Sequence, residues 1–150
     1  TWALWERVKF GKSSMVGLVT GTIAGLASIT PASGFVGPWA ALLIGAVAGV
    51  LCQEAVMLIR NKAKIDDTLD VFAVHGVGGI FGTIMIAALG AGTWTAQLGS
   101  LAIVGIYTTV VTVALVVICK AITPLRVSRE IEVGGLDLAV HGERAYDLSN

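Results

Sequence analysis

Four long apolar stretches, parted by short polar or charged segments, organise this 150-residue chain. They predict helices at about 14–29, 38–59, 70–89 and 98–122. Each approaches or exceeds the roughly 20 residues that cross about 30 Å of hydrocarbon at 1.5 Å per residue. The first is the most dilute, because Ser14, Thr20, Thr22 and Ser28 interrupt it and Pro31 ends it. A span of that kind is expected to be shielded from lipid by protein. The fold class expected is therefore all-α, a polytopic membrane helix bundle.

Charge sharpens this picture. Only 13% of residues are charged, against about a quarter in soluble domains, and the cations fall in clusters. Arg7, Lys9 and Lys12 come first, then Arg60, Lys62 and Lys64, then Lys120, Arg126 and Arg129. Cytoplasmic loops collect Lys and Arg, so residues 1–13, 60–64 and 120–129 are expected on the cytoplasmic side of the cell membrane. Thr30–Trp39 and Gly90–Gln97 carry no charge and are expected outside, with Trp39 and Trp94 at headgroup level. The C-terminal tail, 123–150, is then cytoplasmic. No nucleic-acid partner and no cofactor are expected.

The opening residues, Thr1-Trp2-Ala3-Leu4-Trp5-Glu6, lack a signal-peptide pattern and read as the end of a preceding apolar helix. The chain is thus expected to be part of a larger protein, with a complete four-helix membrane protein as the alternative. Gly17, Gly21 and Gly25 recur every four residues, as do Ala41, Gly45 and Gly49, and Gly78 with Gly82. Small-residue ridges let helix backbones approach closely where lipid gives no hydrophobic drive. Gln53 continues the Ala41 face, and Glu54 is expected to be solvated near the inner surface. Cys52 and Cys119 have no paired Cys or His spacing, so neither disulfide nor metal is indicated. Tyr107, Thr108, Thr109 and Thr112 can bond local carbonyls, and Lys120 can reach the interface.

His75 is the one histidine within a predicted span. Regular helical spacing would place Val71, His75, Gly78, Gly79 and Gly82 on one face. Ionisable residues inside a membrane are costly and tend to be functional. Apolar surroundings favour neutral imidazole, which both donates and accepts hydrogen bonds. It can line a path for a small polar molecule or relay a proton, or it can be satisfied by a neighbouring carbonyl. Asp66, Asp67 and Asp70 precede or open this helix and suit either of two roles. They can cap free N–H groups and match the helix dipole, or they can form a cation-attracting mouth.

Three segments carry a family resemblance. These are GLVTGTIAGLASITP (Gly17–Pro31) with Ala32–Val36, DDTLDVFAVHGVGGIFG (Asp66–Gly82), and GGLDLAVHGERAY (Gly134–Tyr146). In order, and over nearly the whole chain, they resemble the ammonium transporter (Amt/Mep) family. The resemblance implies eleven membrane helices in two inverted five-helix halves plus a final helix. It also implies homotrimers with an ammonium-conducting pore inside each subunit. This chain would supply the end of helix seven, helices eight to eleven and the tail. His75 matches the second of the family's paired pore histidines, Val71 an apolar pore-lining position one turn below, and Asp67 an acid on the cytoplasmic side. The other pore histidine, the outer phenylalanine gate and the aromatic recruitment site belong to the missing N-terminal helices. Inverted-repeat transporters place their path between halves, so this segment is expected to form one wall of a pore.

The mechanism so implied is recruitment of ammonium outside, deprotonation near the entrance, passage of a near-neutral species along the histidines, and reprotonation inside. It is transport and not catalysis. The tail is associated in the family with contacts between subunits and with PII-type signal proteins. The rival readings are an ammonium sensor signalling to a cytoplasmic partner, a Rhesus-type gas channel, and a non-transport membrane scaffold. The histidine helix discriminates against the last.

Overall fold

Two turn signals set the start of the first long helix. In the computed structural model, which describes residues 1–144, the short helix α1 (Trp2–Phe10) closes on Gly11 in the left-handed region at φ 75°, and the Gly11 N–H donates to the Arg7 carbonyl. Ser14 then caps α2 (Met15–Ile29), its hydroxyl accepting from the Gly17 N–H at 2.8 Å. This satisfies one of the four N–H groups that a helix start leaves without partners. Pro31 stops α2 in a 3₁₀ turn, Thr30–Ala32. Gly37 and Pro38 open α3 (Pro38–Met57), with proline at a position where its missing N–H costs nothing.

Helix α3 runs on into a π turn, Leu58–Lys62. After a loop, the chain re-enters the bundle through a second π turn, Phe72–Gly76, which leads directly into α4 (Val77–Ala88). Helix α5 (Trp94–Ile122) is the longest, and none of its residues is buried. Beyond it lie α6 (Arg129–Gly134) and a π turn, Asp137–His141. The described residues are all-helical, with no strand.

Among the described residues, three helices are long and apolar enough to cross a membrane: Met15–Ala32, Pro38–Lys62 and Trp94–Ile122. The segment expected at 70–89 is shorter and is made of a five-residue π turn followed by twelve residues of α-helix. Its first residue, Asp70, is outside the helix at φ 54°. The last helix begins at Trp94, four residues ahead of the expected 98.

The chain divides into two units, Thr1–Val104 and the residues from Gly105 onward. The core of the first gathers Trp2, Ala24, Cys52, Val56, Ala73 and Val74. A second cluster joins Ala32, Ile44 and Ile86 beneath Ile29, Val36, Phe81 and Met85. Glycines set the spacing. A Cβ at Gly21 would stand 2.5 Å from the Cβ of Trp2, one at Gly17 would strike the Glu6 carboxylate, and one at Gly49 would strike Thr1. The expected small-residue ridges of α2 and α3 therefore receive α1 over part of their length. Only Gly25 faces another glycine, with its Cβ position 3.9 Å from the Cα of Gly45.

Helix α4 closes still more tightly on α2. A Cβ at Gly78 would lie 2.7 Å from the Ser28 hydroxyl oxygen and 3.3 Å from the Cys52 sulfur, and one at Gly82 would overlap the Ser28 carbonyl. Cys52 is fully buried, and its thiol donates to the Val74 carbonyl at 3.8 Å. Gln53 is buried too, so α3 turns it inward.

In the second unit, Ser128 caps α6, and Arg126 grips Glu132 through Nη2 at 2.6 Å and Nε at 3.2 Å. The backbone N–H of Glu130 and the Ser128 hydroxyl hold the Glu130 carboxyl below the usual carboxylate range. Gly135 turns the chain at φ 102°. Leu136, Leu138 and Val140 are all exposed, Leu136 just ahead of the π turn and the other two on it.

The glycine contacts give a paired prediction. Gly82→Ala should destabilise the folded protein by about 1–3 kcal/mol, the range for overpacking a filled site. Gly79→Ala, whose Cβ meets nothing within 4 Å, should instead stabilise by about 0.5–1 kcal/mol, since glycine weakens a helix interior. Thermal unfolding of the two variants in detergent checks both signs.

Candidate functional site

The three acids before the histidine helix are engaged in three different ways. Asp67 takes the N–H groups that open the helix: Val71 at 2.8 Å on Oδ1, then Phe72 at 2.9 Å and Ala73 at 3.2 Å on Oδ2. One carboxylate thus satisfies three of the four donors left over at a helix start, and its charge suits the positive end of the dipole. Asp70 turns away to Arg60, with Nε at 2.8 Å from Oδ1 and Nη2 at 2.9 Å from Oδ2. Asp66 accepts from the Thr68 hydroxyl at 2.8 Å.

Of the two roles open to the acids from sequence, the geometry carries the capping role for Asp67. An open depression of about 440 Å³ does lie beside them, but its lining is Arg60, Lys64, Ile65, Asp66 and Thr68. Two cations and one carboxylate do not make an acidic mouth.

The helix that follows is wide at its first turn. The Val77 N–H reaches back five residues to the Phe72 carbonyl, whereas an α-helix reaches back four. The wider turn separates residues that a regular helix would align. Ala73 and Val74 face the core, and Gly78 and Gly82 are buried against α2. Val71 and His75 stand on the open side, with Val71 53% exposed. The single face expected for Val71, His75, Gly78, Gly79 and Gly82 is accordingly split between the open and the packed sides. Phe72, also exposed, lays its ring over Gly76, where a Cβ would come within 2.9 Å of it.

His75 makes no hydrogen bond to any described residue. Its imidazole is exposed, and no carbonyl of the described residues holds it. The open face therefore carries one free donor and acceptor among apolar neighbours, an arrangement that can pass a small polar molecule or a proton but cannot hold a metal or build a nucleophile by itself.

Sequence reasoning did not foresee two ion pairs. Arg60 was legible only as part of a basic cluster, and its bond to Asp70 depends on the path of the loop between them. Glu54, expected to be solvated, accepts from the Trp5 indole N–H at 2.5 Å and from Lys9 Nζ at 2.7 and 2.9 Å. Its side chain remains 43% exposed, so the pair is a partly screened surface tie between α1 and α3.

A family model described as the Ammonium Transporter Family matches residues 1–146. A putative ammonium transporter of Methanothermobacter thermautotrophicus is 40% identical over 99% of this chain and 40% of its own length. An ammonium transporter of Bacillus subtilis is 37% identical over 99% of the chain and 41% of itself. Ammonium transporter Amt1 of Archaeoglobus fulgidus is 42% identical over 91% of the chain and 38% of itself. The chain spans about two-fifths of the length of these curated relatives.

Replacing the capping carboxylate tests its part in the geometry. Asp67→Ala leaves three helix-opening N–H groups without an acceptor and should cost about 0.5–2 kcal/mol, with Asp67→Asn milder. Hydrogen exchange at Val71, Phe72 and Ala73 reads the loss directly, since those amides should exchange faster while amides of α2 hold.

Proposed function

The chain belongs to the ammonium transporter family, and from that premise we propose that it forms one wall of an ammonium-conducting pore. His75 and Val71 face the path, and the helices that complete the pore are supplied by the rest of the same protein. The observation that carries this reading is the exposed, unpartnered imidazole on a helix whose opposite side is sealed against α2 by Gly78 and Gly82.

The chemistry favours separate movement of the proton and the nitrogen. Carrying an intact cation through an apolar channel loses hydration that nothing on this face replaces. A neutral imidazole can accept from one side and donate to the other, so it can pass ammonia along while holding or relaying the proton. Val71 keeps the adjoining turn apolar and leaves no competing site for water. Asp67 acts indirectly, by fixing the start of the helix on which His75 stands, and Asp70 holds the same turn from the Arg60 side.

The remainder of the proposal concerns assembly. The basic residues beside the last long helix put the tail in the cytoplasm by the rule that Lys and Arg stay inside. A homotrimer, with the tail meeting a neighbouring subunit or a PII-type signal protein, fits the exposed Leu136, Leu138 and Val140. The matched segment includes Ala145 and Tyr146, which lie with 147–150 outside the described residues.

Two measurements on the full-length protein decide between this reading and its rivals. In proteoliposomes, His75→Ala should change ammonium-evoked current or its selectivity over potassium. Wild-type current, uptake and selectivity in correctly folded variant would remove His75 from the path.

The tail has its own test. Deleting Gly134–Asn150 should lower transport while leaving surface expression and assembly largely intact. Unchanged kinetics together with an unchanged response to a PII-type protein would show that the segment has no part in coupling.

A further inference from the structure

We propose that the Arg60–Asp70 ion pair is a positioning device that sets the direction in which His75 points; the inference rests on the reading of His75 as a pore residue. The pair joins the two wide turns of the chain. Arg60 belongs to the π turn Leu58–Lys62 at the end of α3, and Asp70 lies two residues ahead of the π turn Phe72–Gly76. Nη2 of the guanidinium donates to Asp70 Oδ2 at 2.9 Å and to the Thr68 carbonyl at 3.2 Å, while Nε lies 2.8 Å from Oδ1 without hydrogen-bond geometry, so that Oδ1 is buried with no donor among the described residues. A guanidinium held at once by a carboxylate and a backbone carbonyl is fixed in orientation as well as in distance.

Asp70 is also where the backbone changes course. Its φ is 54°, in the left-handed region that aspartate and asparagine tolerate better than most residues. Its N–H donates to the Asp67 carbonyl at 2.9 Å, and its own carbonyl accepts from Val74 at 2.8 Å. The helix start is thereby pinned at Asp67 and Asp70. The far side is pinned at Gly78 and Gly82, where neither helix has room to slide because the Ser28 carbonyl and hydroxyl fill the space.

Between these two anchors the chain holds one residue more per turn than a regular helix would. An α-helix advances about 100° per residue, and the wider turn advances less. The extra residue keeps His75 on the open side while Gly78 stays packed. Release of the upstream anchor lets the first turn relax toward regular geometry, and with the glycines held, the rotation falls on positions 71–76. His75 lies in that interval, whereas Ser28, Cys52 and α2 do not.

The test uses the full-length protein in proteoliposomes with three variants: Asp70→Asn, which keeps a residue suited to the left-handed region, Arg60→Gln, and the two combined. Solid-state NMR of ¹⁵N-histidine-labelled protein reads the imidazole, with His75→Ala assigning its resonance. Each single variant should shift that resonance and lower the maximal transport rate about tenfold, with little change in half-saturating concentration. The combined variant should be no worse than either single one, because both remove the same contact. Arg60→Lys keeps the charge but loses the planar guanidinium that bonds the Asp70 carboxylate and the Thr68 carbonyl together. It should fall in between, and it carries the test if the other variants do not fold. An unmoved His75 resonance in folded variants overturns the proposal, whatever transport does, and so do independent, multiplying effects of the two substitutions. If wild-type protein carries no ammonium flux, the pore reading fails, and the resonance still decides whether the pair positions His75.

Discussion

The close approach of α4 to α2 at Ser28 is the constraint on which the rest depends. Gly82 sits where a side chain would overlap the Ser28 carbonyl, and Gly78 sits against the Ser28 hydroxyl and the Cys52 sulfur. Without hydrophobic drive from lipid, two apolar helices gain by van der Waals contact of backbones that small residues bring together. That contact fixes which side of α4 is closed. Everything on the opposite side of the same chain, Val71 and His75 among them, is open by consequence and not by any preference of its own.

This division leaves His75 without a partner among the described residues. A buried imidazole would need a partner to offset its desolvation, and none of the described side chains or carbonyls provides one. Several polar groups nearby are engaged elsewhere in the fold, although Ser28 Oγ, Gln53 Oε1 and Asp70 Oδ1 are buried without a partner among the described residues. Asp67 takes three amide donors, Arg60 takes Asp70, and Thr83 returns its hydroxyl to the Gly79 carbonyl at 2.8 Å. The polar capacity of His75 is left for whatever meets that face.

Much of the fold was legible from local signals. Pro31 marks a helix end in the sequence, and α2 stops there; Ser14, which dilutes the apolar pattern, proves to be the cap of α2, and Gly37 with Pro38 opens α3. Asp67 was readable as a cap because it lies just ahead of an apolar run. Three things were not readable, each for a stated reason. The face shared by Val71, His75 and Gly78 was drawn with a 3.6-residue period, which a π turn breaks, and no residue type announces such a turn. The Arg60–Asp70 contact depends on a loop whose course is set by left-handed residues at Lys64 and Asp70. Helix α1 as a separate element, with Trp2 seated on Gly21, required knowing which of several glycine ridges meets which helix.

The wide turn at Phe72–Gly76 also bears on how this helix can change from one generation to the next. Gaining or losing a single codon inside an α-helix swings every residue beyond it to a new side. A helix that already contains a π turn has a place where such a change is absorbed, since π-bulges hold one surplus residue within an otherwise regular ladder. Here that place ends just before Gly78. A length change within 72–76 leaves the glycine seam aligned with Ser28, whereas the same change a few positions later would drive a side chain into the Ser28 carbonyl. The stretch that carries the histidine can thus change length without breaking the seal, but only by turning His75 away from the open side, while the stretch that seals the bundle cannot change at all.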